Sequence, residues 1–412
     1  MASKVALFQE RGVWLDPCCG VGNLAWHLAA TQEDPDSFIS SRLVLADIDD
    51  TALKTAIALI SAEYSAPGNG SAISNLADRS LRADFLTTGD IPPYDFVIVN
   101  PPYAKTAKKA QFETADSRDL FAYFMEKVAK TSAGFISVTP AAYLSAPKYQ
   151  ALRNIIDQTQ SGGQVFVFDN VPDTLFRGYK FGSTNTSQTN FVRAAVTVCA
   201  PSLTDWLMTP ILRWQRPSRE KMFREANRLL SDRRLGPSGE WAKLSDETAR
   251  IWDRILEGSQ PLEELLTPSE TVWSLDVGLT PRYYISATFR TLERASKATL
   301  YFRDESARDR AAIVLNSSIP YLWWRALDGG VTLPKRVLKS VPIPPYVEAD
   351  PDLIALLQHS ESENLVTKMN AGRSNENVKH PQDLVDLLNQ MVIPWPHELE
   401  SIYTNNMFAL PL

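Results

Sequence analysis

The sequence contains few of the residues from which disulfide frameworks and metal sites are built. Its 412 residues include 3 cysteines and 4 histidines. Cys18 and Cys19 are adjacent and Cys199 stands alone, so we expect no disulfide framework. The sequence also has no Cys-x-x-Cys pair and no cluster of Cys and His, and it therefore predicts no structural zinc site and no other metal site.

Long apolar runs are missing as well. No run approaches the roughly 18 apolar residues that a membrane-spanning helix requires. The first residues, Met1 to Arg11, carry charges of both signs and lack the apolar core of a signal peptide. We therefore expect a cytoplasmic protein without a membrane partner.

The net charge of −6 does not favour a nucleic-acid partner. Phosphates, however, are bound by one face of a protein rather than by its total charge. Residues 213–234 hold eight basic residues against three acidic ones. This run is either a phosphate-binding surface or the solvated face of a helix, and Arg213, Arg216 and Arg219 are its first candidates for phosphate contacts.

Short apolar runs alternate with helical patterns from Gly12 to about Cys199. This alternation predicts an α/β fold, in which helices cover both faces of a parallel sheet. We expect a further strand at Asn190–Val198, as an antiparallel edge, and surface loops at Ser65–Ser74 and Gly178–Asn190. The predicted strands are Gly12–Asp16, Arg42–Asp47, Phe96–Asn100, Gly134–Thr139 and Gln164–Phe168, and the predicted helices are Asn23–Thr31, Thr51–Tyr64, Asp119–Lys130 and Lys148–Gln158.

The composition changes after Pro201, where a region rich in Trp and Arg begins. We predict a first domain over residues 1–200 and a basic helical linker over residues 201–260. A smaller mixed α/β domain over residues 261–345 and a helical tail over residues 346–412 follow, with a loop at Ala371–Pro381 inside the tail.

The first motif, Asp-Pro-Cys-Cys-Gly-Val-Gly-Asn-Leu at residues 16–24, follows a predicted strand and opens a helix. Glycines at such a turn let the backbone approach a ligand closely, and the helix N-terminus offers unpaired N–H groups. The motif lacks the third glycine of the dinucleotide fingerprint. Taken alone, it is either a ligand-binding loop or an ordinary turn between strand and helix.

Acidic residues follow the next two strand-like segments. Asp47 directly ends the apolar run of the second strand, where a carboxylate can accept hydrogen bonds from both hydroxyls of a ribose. Asp49 and Asp50 either share this role or cap the next helix. Asp84, followed by Phe85, ends a third segment and by itself is an ordinary aspartate at a strand end.

The apolar strand at Tyr94–Tyr103 ends in Asn-Pro-Pro-Tyr. Pro101 and Pro102 remove two backbone donors and stiffen the turn. The strand end therefore presents carbonyl oxygens and the Asn100 amide oxygen, which suits a ligand that donates hydrogen bonds, such as a planar amine. Acceptance of both amine protons favours attack by the nitrogen on an electrophilic methyl group, while Tyr103 can stack on the base. The alternative is a proline-terminated strand without a function.

Together these motifs, in this order and spacing, resemble the N6-adenine DNA methyltransferases of restriction–modification systems, with a gamma-like motif order. The resemblance covers residues 12 to about 200 well and the remainder loosely. It implies a Rossmann-like domain that binds S-adenosyl-L-methionine, followed by a target recognition domain at residues 261–345.

The resemblance also assigns the cofactor contacts. The loop from Asp16 to Gly22 surrounds the methionine part, Asp47 binds the ribose and Asp84 accepts from the adenine amine. Asp-Leu-Phe at residues 119–121 matches the next motif, whose aromatic residue borders the cofactor and the target pocket. The cofactor-binding residues expected in this way are Asp16, Pro17, Cys18, Gly20, Gly22, Asp47, Ile48, Asp84, Phe85 and Phe121.

An adenine N6 lies inside the duplex, so the reaction requires base flipping. Stacking on aromatic side chains helps to offset the cost of unpairing. Tyr103 is expected to form one wall of the pocket and Phe176 the other, with Tyr179 and Phe181 as competing candidates. Core packing is the alternative role for Phe176.

The chain departs from the family pattern at its beginning. Similar enzymes carry, upstream of the glycine turn, a segment with Thr-Pro that covers the methionine end of the cofactor, whereas the 15 residues before Asp16 do not match it. Either other residues close that side, or cofactor affinity is low until DNA or a partner binds. A truncated or inactive protein is the remaining alternative.

Segments of the second half resemble target recognition regions. They are Gly278–Ile285, Leu315–Ser318 with the aromatic residues after it, and Asp328–Arg336. Arg282, Tyr283, Lys335 and Arg336 are the candidate DNA contacts here. The alternative is a structural domain whose aromatic residues form its core. No nuclease or helicase motif is recognisable, so a cognate restriction nuclease or partner subunit would be a separate protein.

The expected function is therefore site-specific methylation of adenine N6 in double-stranded DNA, in a restriction–modification or phage-defence system. Cytosine N4 suits the same geometry, whereas C5 methylation needs a Pro-Cys nucleophile that the sequence lacks. Two alternatives stay open: methylation of RNA or of a protein glutamine, and a noncatalytic DNA-binding subunit with a vestigial cofactor pocket.

Overall fold

The computed structural model describes residues 2–9, 11–66, 70–170, 173–175, 192–281, 284–370 and 373–396. The chain forms two compact units, and the division falls between Arg233 and Arg234. None of the helices in these described ranges is both long and apolar enough to cross a lipid bilayer.

The first unit is built on a nine-stranded sheet with the order β3-β2-β1-β4-β5-β7-β6-β8-β9. Strands β1 to β5 run parallel, β7 runs antiparallel between β5 and β6, and β6 pairs parallel with β8. The strands are β1 Trp14–Asp16, β2 Leu43–Asp47, β3 Leu81–Arg82, β4 Phe96–Val99, β5 Gly134–Pro140, β6 Gly163–Phe168, β7 Ala194–Cys199, β8 Trp206–Leu212 and β9 Ser231–Asp232.

Helices cover this sheet. Every residue of β1 and β4 is buried, so both faces of the sheet are covered, as a parallel sheet requires. Asp49 caps α4, because its side chain accepts from the N–H groups of Thr51 at 2.8 Å and Ala52 at 3.1 Å. The helices are α1 Ala2–Val5, α2 Asn23–Ala29, α3 Pro35–Ser41, α4 Asp50–Tyr64, α5 Gly70–Asp78, α6 Leu120–Thr131, α7 Gln150–Thr159 and α8 Arg219–Glu225.

The predicted α/β fold is confirmed, and this is the Rossmann-like arrangement that the resemblance implied. Three local predictions need correction. β7 is antiparallel but lies inside the sheet rather than at its edge, because it pairs with both β5 and β6. The segment predicted as a loop at Ser65–Ser74 overlaps the start of α5. The sheet continues beyond residue 200, since β8 pairs with β6 and β9 with β8.

The order of the sheet reverses at β1, which pairs with β2 on one side and with β4 on the other. In open α/β sheets, ligands bind at such a switch point, outside the carboxyl ends of the strands. The glycine turn that follows β1 and the Asn-Pro-Pro-Tyr segment that follows β4 therefore meet at the same edge of the sheet.

The second unit combines short antiparallel sheets with helices around a separate apolar core. Ile313, Leu315 and Leu327 are among its fully buried residues. Its strands are β10 Arg234–Leu235, β11 Trp241–Ala242, β12 Gln260–Pro261, β13 Ser274–Gly278, β14 Ala287–Thr288, β15 Lys297–Tyr301, β16 Pro342–Ile343, β17 Leu365–Asn370 and β18 Arg373–Val378, and its helices are α9 Asp246–Leu256, α10 Glu305–Asn316, α11 Ile319–Leu327, α12 Lys335–Lys339, α13 Pro351–Glu363 and α14 Gln382–Val392.

The tail differs from the helical prediction. α13 and α14 are helices, but β17 and β18 pair antiparallel between them, and β18 occupies most of the predicted loop at Ala371–Pro381. The region predicted as a helical linker, residues 201–260, contains α8 and α9 but also strands β8 to β11. The functional names given to these segments remain predictions.

Candidate active site

The glycine turn after β1 has the backbone geometry of a ligand loop. Gly20 has φ 52° and Gly22 has φ 84°, a region that residues with a Cβ rarely adopt. A Cβ on Gly22 would lie 2.9 Å from the Cβ of Ala56, whereas a Cβ on Gly20 would meet nothing within 4 Å. Gly22 is thus required for the packing of the turn against α4, while Gly20 leaves open space beside the backbone.

Asp47 fixes this loop from the end of β2. Its Oδ2 accepts from the Gly20 N–H at 2.8 Å, and its Oδ1 accepts from the Asp49 N–H at 2.9 Å. The next side chain, Ile48, is 69% exposed, which is unusual for a large apolar residue. A carboxylate and an exposed apolar side chain therefore lie side by side at the end of β2.

Asp16 is the buried carboxylate of the site, with 1% of its surface exposed. Its Oδ1 lies 3.4 Å from the Cys18 N–H, and among the described residues no donor reaches its buried Oδ2. Burial raises the pKa of Asp16 to about 7, with the Cys18 N–H opposing this rise and the charge of Asp47 adding to it. The site therefore holds an unsatisfied buried acid that a cation would complement.

The Asn-Pro-Pro-Tyr segment begins directly after β4. Asn100 is exposed, Pro101 is buried, and the Tyr103 hydroxyl lies within hydrogen-bonding distance of the Asn100 Oδ1 and of the Val138 carbonyl at 2.6 Å. Burial raises the pKa of Tyr103, so its hydroxyl keeps its proton as a donor. The Cys18 Sγ donates to the Asn100 carbonyl at 3.5 Å, which links the glycine turn directly to this segment.

The aromatic residues expected near the cofactor are both buried. Phe121 is 3% exposed, and its ring lies edge-on to Tyr103 at 6.3 Å. Phe85 is 1% exposed, with Phe124 at 5.4 Å and the ammonium of Lys127 at 4.8 Å from its ring. Phe121 thus lies beside Tyr103, whereas the Phe85 ring is packed in the core, and contacts of either ring with the cofactor stay predictions.

Asp84 lies at the surface, beyond β3. Its Oδ1 accepts from the Leu86 N–H at 2.9 Å and closes a local turn. Pro17 belongs to the buried part of the glycine turn. The cofactor roles of both residues stay predictions.

Asp119 forms a network that the sequence alone did not indicate. Its carboxylate accepts from Lys105 at 2.7 Å, from Lys148 at 2.5 Å and from the Tyr149 hydroxyl. Burial alone would raise the pKa of Asp119, but the hydrogen bonds from these three groups outweigh it and lower the pKa. The only sequence signal was the match to the Asp-Leu-Phe motif, which singled out Phe121 rather than its neighbours.

The segment before β1 packs at the opposite edge of the sheet. Phe8 contacts Trp14 at 4.7 Å and Phe96 at 5.0 Å, the first residues of β1 and β4, and Lys4 bonds to Gln164 near the start of β6. The described residues before Asp16 therefore lie at the amino ends of the strands. The expectation that other residues close the cofactor site remains open.

The three arginines proposed as phosphate contacts in the first unit differ in exposure. Arg213 is half-buried, and its Nε lies 3.8 Å from the Asp169 carboxylate. The guanidinium of Arg219 lies 6.0 Å from the Trp214 ring and 5.8 Å from the Phe223 ring. Arg216 is exposed, and contacts of these three residues with DNA stay predictions.

In the second unit, the aromatic residues that resembled a recognition region form core. Trp323 is 1% exposed, stacks on Trp252 at 4.3 Å and donates to Ser340, while Tyr321 and Trp324 are buried as well. Core packing is therefore the correct interpretation for these rings.

The remaining described candidates for DNA contacts are not buried in that core. Lys335 is exposed, whereas Arg336 pairs with the buried Glu240 at 2.6 Å. Four further sequence candidates lie outside the described residues together with Phe176, namely Tyr179, Phe181, Arg282 and Tyr283.

Comparison with known proteins gives one family and several solved structures. Among curated proteins, no relative matches this chain. Similar structures include the Type I restriction enzyme EcoKI M protein (14% identity, 65% of this chain and 57% of that chain, TM-score 0.34). A second is the DrdV–DNA complex (13% identity, 57% of this chain and 28% of that chain, TM-score 0.39). A third is an rRNA methylase from Streptococcus thermophilus (11% identity, 48% of this chain and 94% of that chain, TM-score 0.28).

These structures concern the fold alone, and the chain spans less than two thirds of the length of the first two. The family model is more specific. Residues 42–170 match the family described as Eco57I restriction-modification methylase, and this segment contains Asp47, Asp84 and Asn100–Tyr103. The resemblance of the chain to restriction–modification methyltransferases is thus confirmed over residues 42–170.

Proposed function

We propose that this protein is an S-adenosylmethionine-dependent DNA methyltransferase that acts on N6 of adenine. The observation that carries the proposal is the contact between two motifs. The Cys18 Sγ lies 3.5 Å from the Asn100 carbonyl, so the glycine turn adjoins the Asn-Pro-Pro-Tyr segment. A methyl donor in the turn would therefore lie beside an amine held by Asn100.

The residues of the turn fit the proposed cofactor. The unsatisfied, buried Oδ2 of Asp16 suits the ammonium group of the methionine part. The open space beside Gly20 allows close approach, and Asp47 with the exposed Ile48 suits a ribose followed by an apolar ring. When bound, S-adenosylmethionine supplies a methyl group on a positively charged sulfur.

The protein itself would align the target amine and supply hydrogen-bond acceptors for its protons. Asn100 Oδ1 and the Pro101 carbonyl would accept the two amine protons, which raises electron density on the nitrogen. The proline at each of the next two positions removes a competing N–H group. The Tyr103 hydroxyl lies within hydrogen-bonding distance of Asn100 Oδ1, so the target amine would share or replace this hydrogen bond on entry.

Flipping of the target adenine is part of the same proposal. The amine can reach Asn100 only after the base has left the duplex stack. Tyr103 is half-buried and backed by Phe121, so its ring offers a stacking surface next to the acceptor. Phe176 is proposed as the opposite wall.

Duplex DNA is proposed as the substrate because the matched family is described as a restriction-modification methylase. Arg213, Arg216 and Arg219, at the start of the 213–234 segment, and the exposed Lys335 would supply phosphate contacts. The enzyme would act in restriction–modification or phage defence, together with a cognate restriction nuclease or a partner subunit.

An assay with tritiated cofactor on duplex DNA, RNA and protein tests this function. We expect label in DNA from the wild type and an at least 100-fold lower kcat for Asn100→Ala, about the cost of removing one preorganised group, with DNA binding retained. Label only in RNA or protein would overturn the choice of DNA. Absence of cofactor binding in calorimetry, with and without DNA, would indicate a noncatalytic subunit instead.

Modification-sensitive sequencing of a methylated plasmid completes the test. It identifies the modified base and its sequence context in one measurement. Methylated cytosine N4 in place of adenine N6 would correct the base while leaving the proposed chemistry intact.

A further inference from the structure

The chain forms a hairpin after the Asn-Pro-Pro-Tyr segment. Lys105 and Asp119 pair across it as an antiparallel bridge. The Leu120 N–H donates to the Ala104 carbonyl and the Thr106 N–H to the Arg118 carbonyl, both at 3.0 Å. The hairpin therefore leaves the site directly after Tyr103 and returns at the start of α6.

Asp119 holds two lysines at the base of this hairpin, where its two arms begin and end. Its side chain is 8% exposed, whereas those of Lys105 and Lys148 are 71% and 39% exposed. One carboxylate faces two ammonium groups, so the group carries a net positive charge. Each ammonium has three N–H donors, which leaves donors for a further acceptor in solvent.

The Asp119 side chain does not cap α6, the helix that it precedes. It occupies the N-cap position of α6, where an aspartate ordinarily accepts from the first backbone N–H groups, yet its side chain makes no cap hydrogen bond. The preceding Arg118 has φ 51°, a strained conformation for a residue other than glycine. The local backbone thus positions the carboxylate for the lysines at the expense of helix capping.

Two ring contacts connect this group to the proposed base pocket. Tyr103 contacts Phe121 at 6.3 Å, and Phe121 contacts Tyr149 at 5.2 Å, whose hydroxyl bonds to Asp119. Two aromatic rings, those of Phe121 and Tyr149, therefore connect Tyr103 to the carboxylate that holds the lysines.

We propose that Lys105 and Lys148, held together by Asp119, bind a backbone phosphate of the flipped nucleotide. This inference rests on the proposed function and adds to it a positioning site for the DNA backbone. A flipped base must be fixed through its sugar and phosphate, and phosphate contacts set the position of a nucleic acid. Ammonium groups act as point charges that suit a phosphate. The glycine turn contains Asp16 and is fixed by Asp47 from the end of β2, so these two side chains add negative rather than positive charge beside the phosphate.

The test uses the full chain, plasmid DNA and tritiated cofactor, with kcat/KM for DNA measured from low to physiological salt. For Lys105→Gln and Lys148→Gln, we expect the slope of log kcat/KM against log salt to become shallower, by at most about 1, because both lysines bind the same phosphate. KM for DNA should rise, while kcat at saturating DNA and the cofactor affinity stay near the wild type. Lys105→Arg and Lys148→Arg should restore the salt slope, because they keep the charge.

Lys108→Gln is the matched control, because Lys108 lies in the same hairpin but pairs with the exposed Asp116 at 2.5 Å. It should leave the slope unchanged. A lower kcat with an unchanged slope in the Lys105 and Lys148 variants would show a structural role only and overturn the proposal. A wild type that leaves DNA unlabelled would instead remove the proposed function, and this inference with it.

Discussion

Replacement of Asp16 by Asn should make the ligand-free protein more stable and the cofactor bind less tightly. Asp16 is 1% exposed and has a buried oxygen without a donor among the described residues. Burial of this carboxylate is unfavourable for folding unless a cation is present. The Asn variant removes the charge and keeps an oxygen that can accept from the Cys18 N–H.

The size of the effect follows from the pKa. A rise from 3.8 to about 7 corresponds to about 4 kcal/mol at about 1.4 kcal/mol per unit. Between about pH 4 and about pH 7 the folded state binds one proton more at Asp16 than the unfolded state, so the free energy of unfolding falls as the pH rises through this window and is then level. The advantage of the variant should therefore grow from near zero at about pH 4 to about 4 kcal/mol at about pH 8.

Cofactor binding should change in the opposite direction. An ammonium group binds the ionised form of Asp16, so the affinity of the wild type should rise as the pH rises towards about 7 and then level off. Loss of a charge-assisted hydrogen bond in Asp16→Asn should weaken binding by about 1.5–3 kcal/mol, which is roughly 10- to 150-fold.

Denaturant unfolding at several pH values and calorimetry with S-adenosylmethionine measure both effects. The chain has two compact units, and Asp16 belongs to the first. The unfolding transition whose midpoint shifts in Asp16→Asn is therefore the transition of the first unit. Asp78→Asn, at the exposed end of α5, is the control and should not change the pH profile of stability. Parallel profiles for the wild type and Asp16→Asn would refute the burial argument, and unchanged cofactor affinity would refute the ammonium contact.

Two further outcomes are expected for the same site. Tyr103→Phe should retain most methyl transfer because it keeps the ring. Tyr103→Ala should lower kcat/KM by an amount equivalent to about 1–3 kcal/mol, because the stacking surface is lost. Equal losses in the two variants would show that the hydroxyl, not the ring, is required. Gly22→Ala combines a positive φ with an overlap with Ala56 and should lower the free energy of unfolding by about 2–4 kcal/mol. Gly20→Ala has only the positive φ and should lose about 1–2 kcal/mol, and equal losses in denaturation would contradict the steric part.

Much of the fold could be predicted because its signals are local. Alternating apolar strands and helical patterns located β1, β2, β4, β5 and β6 within a few residues, and Asp49 was already a candidate cap for the next helix. The Asn-Pro-Pro-Tyr motif could be found because proline changes the backbone wherever it stands. The role proposed for Asn100 followed from its residue type and its place at a strand end, whereas the expected place of Asp16 in the cofactor loop came from the resemblance.

Which strands pair with one another could not be predicted from local patterns. The position of β7 inside the sheet depends on its register with β5 and β6, which no local pattern encodes. The aromatic residues of α11 have the composition of a binding surface, and only their packing against Trp252 and their neighbours shows that they form core.

The sequence by itself determined the α/β class, the motifs and their resemblance, because these depend on residue type and spacing along the chain. The tertiary structure decided which of those residues meet. It brought Cys18 to Asn100, left the buried Oδ2 of Asp16 without a donor among the described residues and gathered Lys105, Lys148 and Tyr149 around Asp119. Burial and contacts between distant residues arise only when the sheet assembles, and they set the charge and hydrogen bonding of the site.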